Sequence, residues 1–134
     1  MLIKNTSIFL ALSLFSLTAF ADGADAIRGS QANGQGVYDT PNGTKTSHTL
    51  LIDANGRTGR YCVTGTNDCG FLHDIEYNQD DTDMRGQWFF NGSRGTFVWN
   101  FDSDKTFSGN FRMHRRGEGV KYIPFDGQWD GTFN

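Results

Sequence analysis

A glycine followed two residues later by an aromatic ring recurs along this chain: Gly59-Arg60-Tyr61, Gly86-Gln87-Trp88, Gly109-Asn110-Phe111 and Gly127-Gln128-Trp129. Residues i and i+2 of a β-strand share a face, so each triplet sets a hollow beside a ring. A large ring on the adjacent strand covers that hollow, and the sheet can coil sharply there. The residues around the triplets keep the period of a half-buried strand. Phe97, Trp99 and Phe101 point one way, and Val98 and Asn100 the other. Phe107, Gly109, Phe111 and Met113 share a face, opposite Ser108, Asn110, Arg112 and His114. Period two excludes a helix for these stretches. With 17 glycines and only 2 prolines, the composition also suits an all-β domain.

Short apolar-patterned runs and turn signals then alternate at the spacing of an antiparallel meander. Strands are expected near 48–53, 58–64, 70–77, 84–90, 95–101, 106–113, 118–123 and 127–133. Asn55-Gly56, Asn91-Gly92 and Asp102-Ser103-Asp104 separate several of them. The expected fold is an antiparallel meander of about eight strands, closing into a small barrel or a strongly twisted sheet. It should occupy residues 37–134, after a flexible lead-in over 22–36 in which Ile27 is the strongly apolar residue.

Residues 1–21 read as a secretory signal peptide. Lys4 supplies the early positive charge, Ile8 to Phe20 an apolar core, and Ala19-Phe20-Ala21 a small-x-small cleavage site. That core is too short for a membrane span, and no other stretch is apolar enough for one. The expected location is therefore secreted or periplasmic. Cys62 and Cys69 are an even pair for an oxidising compartment and should form one disulfide across the mouth of a hairpin. Their spacing is not Cys-x-x-Cys, and no basic residue lies between them, so a redox role is not indicated. The formal net charge of −3 argues against nucleic acid as the main partner.

The glycine–aromatic units resemble MORN repeats, hairpin units built on Tyr-x-Gly-x-Trp-x-x-Gly. Met84-Arg85-Gly86-Gln87-Trp88 begins one unit, Phe107-Ser108-Gly109-Asn110-Phe111 a second, and Phe125-Asp126-Gly127-Gln128-Trp129-Asp130-Gly131 a third. The first two units are offset by a MORN-like interval and the next two by a shorter one. The resemblance implies a hairpin array used as a scaffold or for membrane association, with structural glycines and rings. The broader pattern is similar to secreted bacterial β-meander proteins.

Residues that could carry chemistry are few. His73 falls in phase with Phe71, Ile75 and Tyr77, so it could line a ligand pocket with Tyr77 or Tyr61. Trp88 and Trp99 supply rigid apolar surface for the same pocket. His48, His73 and His114 lack metal-ligand spacing, and no cofactor or metal site is expected. The loop Asn78-Gln79-Asp80-Asp81-Thr82-Asp83 holds hard oxygens, but without the Asp-x-Asp-x-Asp-Gly calcium arrangement it reads as a solvated acidic turn. Arg112, His114, Arg115 and Arg116 form a basic cluster that could dock an acidic partner. No catalytic nucleophile motif occurs.

These features describe a binding module that recognises a small apolar ligand, a glycan or a partner protein. Two other readings remain: an inhibitor or immunity-type protein that blocks a secreted enzyme through its loops, and a small barrel enzyme using His73.

Overall fold

The computed structural model describes Ala24, Ile27 and residues 31–102, 105–115 and 125–134. Eight strands form one closed antiparallel barrel in which each pairs with its sequence neighbours and the last returns to the first. They are β1 (Ala32–Asp39), β2 (Lys45–Ile52), β3 (Gly59–Val63), β4 (Cys69–Tyr77), β5 (Asp83–Phe90), β6 (Ser93–Phe101), β7 (Thr106–Arg115) and β8 (Phe125–Phe133). Among the described residues no helix is long and apolar enough to cross a membrane.

The meander barrel is the architecture that the sequence pattern implies, and β2 to β8 fall on seven of the expected strands. The expected strand at 118–123 lies outside the described residues. The strand that completes the barrel is β1, and its first half takes residues 32–36 from the expected flexible lead-in. The reason is physical. The inward positions of this half are Ala32, Gly34 and Gly36, so β1 carries no large apolar side chain inward until Tyr38.

Those glycines follow a rule that runs round the barrel: a ring pointing inward tends to have a glycine directly opposite on the next strand. Tyr61 faces Gly70, Phe97 faces Gly86, Trp88 faces Gly95, Phe111 faces Gly127, and Phe107 faces Gly131. A methyl group on Gly70 would lie 2.4 Å from Cζ of Tyr61 and 2.6 Å from the Phe89 carbonyl oxygen. The hollow is therefore filled by the ring itself. An eight-stranded barrel has an interior that side chains can fill, and here rings fill it together with Leu50, Ile52, Leu72, Ile75 and Met84. Trp99 stacks on Phe107 at a centroid separation of 4.1 Å and meets Trp129 edge-on at 5.1 Å.

The outward face is polar at most positions, Val37, Phe71, Phe89 and Val98 being exposed exceptions, and the turns use the expected chemistry. Asn91 and Gly92 both take positive φ, 47° and 79°, in the two-residue hairpin between β5 and β6. Cys62 and Cys69 lie opposite each other on β3 and β4 and are disulfide-bonded, as expected.

The two ends of the barrel differ. One is rimmed by the 40–44, 64–68 and 91–92 turns. The other, bearing the 53–58 and 78–82 turns, is plugged from the N-terminal side. Ala24 and Ile27 are 0% and 2% exposed and belong to the core, and Ala24 N–H donates to the Asp81 carbonyl at 2.9 Å.

Candidate binding site at the open end

Inward positions at the end that no described residue plugs come from alternate residues of five strands. β1 gives Tyr38, β3 Tyr61, β5 Trp88 and Phe90, β7 Phe111 and Met113, and β8 Trp129; Thr40, Pro41 and Ser93 form the rim. They line a cleft of about 100 Å³. Tyr61 stacks on Phe90 with centroids 5.9 Å apart, and Tyr38 meets Phe111 edge-on at 6.1 Å. Trp88 Nε1–H donates to the Thr96 carbonyl at 3.2 Å, which fixes the indole against its own hairpin.

Beneath the cleft lies a buried polar pair. His48 is 1% exposed, and its Nε2 accepts the indole N–H of Trp129 at 2.7 Å. Its Nδ1 lies 3.3 Å from the Thr49 carbonyl oxygen, so a proton there completes the neutral tautomer's bonds. Burial pushes the His48 pKa down to about 4, keeping the imidazole uncharged. Burial also raises the phenol pKa of Tyr38 and of Tyr61. The cleft floor is thus neutral, with two phenols as its polar handles.

The residues read from the sequence as one ligand site separate into four places. Tyr61 and Trp88 reach the open end. Trp99 is fully buried in the ring core, where its indole N–H has no hydrogen-bond partner. Tyr77 lies toward the plugged end, its hydroxyl donating to the Gly56 carbonyl at 2.9 Å.

His73 corrects the sequence reading. It lies on the outer face, with Nδ1 3.0 Å from the carboxylate of its neighbour Asp74. A bulge in β4 is the cause. The register against β5 shifts between His73 and Glu76, and Asp74 takes φ 52°. Leu72 and Ile75 both point inward as a result, and the phase that tied His73 to Ile75 is broken.

Of the basic cluster, Arg112 and His114 point to the outer face of β7. Arg112 makes a two-pronged contact with Asp126, with Nε 2.7 Å and Nη2 3.2 Å from its two carboxylate oxygens. That guanidinium holds the Asp126 carboxyl below the usual carboxylate range. His114 is exposed. Arg115 pairs in register with Arg94, and Arg116 lies outside the described residues. In the acidic loop, the Asn78 side chain ties the turn together through Thr82 and Asp83. Among the described residues no group of three or more His, Cys, Asp or Glu side chains is placed to hold a metal.

Sequence reasoning missed His48, Tyr38, Phe90, Phe111, Met113 and Trp129 as parts of this end. Two signals were available. His48 keeps period two with Leu50 and Ile52, and Phe90 keeps it with Trp88. Comparison with protein-family models, curated proteins and solved structures finds no match to this chain.

Proposed function

We propose that this chain is a secreted or periplasmic binding module that takes hold of a partner protein by seating one of its apolar side chains in the open end of the barrel. The observation that carries this reading is a ring-lined cleft of about 100 Å³ above an interior otherwise filled with packed apolar side chains. Pockets for whole small molecules run from about 300 to 1,000 Å³. The cleft here suits a single side chain, the way an interface anchor is held in a pocket on its partner. Export on residues 1–21 and the Cys62–Cys69 bridge fit a partner met outside the cytoplasm.

The glycine–ring units that resemble MORN hairpins serve as structural parts of the module in this reading. Among the described turns, those over 40–44, 64–68 and 91–92 lie at the cleft's end of the barrel, so a secreted enzyme is a suitable partner and inhibition a suitable outcome. An enzyme built on His73 is less well supported, because His73 sits on the outer face away from the cleft.

The test is an NMR titration with N-acetyl amides of leucine, methionine and phenylalanine against those of serine and aspartate. The apolar amides should shift the Met113 methyl and the Trp88 and Trp129 indole signals at millimolar concentration, and Met113→Asp should abolish the shifts. Equal response to polar and apolar amides, or no response at all, would falsify the reading.

A further inference from the structure

The outer face of the barrel carries a row that the cleft does not use. Strand registers place Arg60 opposite Phe71, Phe71 opposite Phe89, and Phe89 opposite Arg94. Two phenylalanines thus stand side by side between two arginines, across β3, β4, β5 and β6. Phe71 is 55% and Phe89 43% exposed, the largest values among the exposed large apolar side chains. Neither Arg60 nor Arg94 joins an ion pair among the described residues.

Beside Phe89 the face sinks into an open depression of about 320 Å³, lined by Gln87, Arg94, Gly95, Thr96 and His114. Among the described residues no carboxylate lines it, although the chain carries more acidic than basic side chains. The bulge that aims His114 here is visible in the register, where Arg94 pairs with Arg115 but Gly95 pairs with Met113.

We propose that this face binds an anionic saccharide. The two rings offer flat apolar surface to the C–H face of a sugar ring. Arg94 and Arg60 present planar forks to a carboxylate or sulfate, and Gln87 and Thr96 offer donors and acceptors to hydroxyls. Strands about 4.8 Å apart put the two arginine backbones roughly 14 Å from each other, so the ligand is a short oligomer rather than a single sugar. An acidic peptide fits less well. A peptide gains affinity on a sheet by adding a strand to a free edge, and this closed barrel has none. A membrane surface needs a broader apolar face than two rings on a convex wall.

The experiment is calorimetric titration of the disulfide-intact chain with three probes: a galacturonate oligomer, a heparin-derived sulfated oligomer and a neutral galactose oligomer. At least one anionic oligomer should bind about tenfold or more tightly than the neutral one, and added salt should weaken it. The double substitution Arg60→Gln/Arg94→Gln should reduce that affinity about tenfold or more, as should Phe89→Ser, with circular dichroism unchanged. Two controls address other occupants. Anionic phospholipid vesicles should not bind through these residues, and the chain should not dimerise through Phe71 and Phe89. The proposal is overturned if the anionic oligomers bind no better than the neutral one, or if the substitutions leave their binding intact. It is also overturned if vesicles or a second copy of the chain are what these residues hold.

Discussion

Trp129 and His48 meet in the centre of the barrel, the indole N–H donating to Nε2 of the imidazole at 2.7 Å, with both side chains almost wholly buried. The bond fixes the imidazole tautomer and needs Nε2 free of a proton. A proton on Nε2 would set two donors against each other.

Stability should therefore fall in mild acid. The folded His48 pKa is about 4, against 6.5 for an unperturbed histidine. The unfolded chain then binds the extra proton between those values. The contribution is complete above pH 6.5, declines as pH falls through that window, and has gone below about 4. It amounts to about 3 kcal/mol in all. Urea unfolding at pH 7 and at pH 4.5 measures it, and His48→Gln should flatten the dependence. An equal slope in wild type and variant would refute this account of the pair.

The rings opposite glycines make a second prediction. Gly70→Ala puts a methyl group against the Tyr61 ring and the Phe89 carbonyl, and the carbonyl belongs to the barrel wall and cannot step aside. It should cost about 1–3 kcal/mol and alter the near-ultraviolet dichroism of the ring cluster. Gly43→Ala is the control. Nothing lies within 4 Å of its added methyl, and its φ of 87° is the sole penalty. That variant should lose about 1 kcal/mol and keep the wild-type aromatic spectrum.

Removing the disulfide should weaken the barrel without opening it. Cys62 and Cys69 are seven residues apart on directly paired strands, so the hairpin they staple is also held by its own ladder. The double substitution Cys62→Ser/Cys69→Ser should lower unfolding free energy by about 2–3 kcal/mol. A urea titration that shows loss of cooperativity instead would contradict this.

The plug should be a measurable part of the fold. Ile27→Ala removes a side chain that is 2% exposed and should cost about 2–4 kcal/mol. Hydrogen exchange should quicken at the 78–82 turn, where Asp81 holds Ala24. Unchanged exchange there would mean that the N-terminal segment does not brace that end.

How far the sequence disclosed all this depended on whether a strand wrote its inward face in apolar residues. β6 did so plainly with Phe97, Trp99 and Phe101, and its alternation is intact in the barrel. β1 wrote Gly34 and Gly36 on its inward face, because the space belongs to Phe133 and the His48 imidazole. A strand whose inward side is an absence gives no period to read. The His73 phase failed for another local reason: a single αL residue, Asp74, inserts a bulge that no alternation pattern announces. The open end gathers side chains from five strands, and such a gathering follows from closure and register rather than from any segment's own pattern.

The seam between β1 and β8, where Gly34 meets Phe133, joins nearly the first and last described residues of the chain. Pairing at such sequence separation is slow, since loop-closure entropy must be overcome before the contact forms. Until residues 125–133 arrive, β1 and β7 each expose an unpaired edge, and unpaired edges recruit other chains. A ribosome stalled before β8, or a protease that clips it, would therefore leave not a smaller barrel but a template for aggregation.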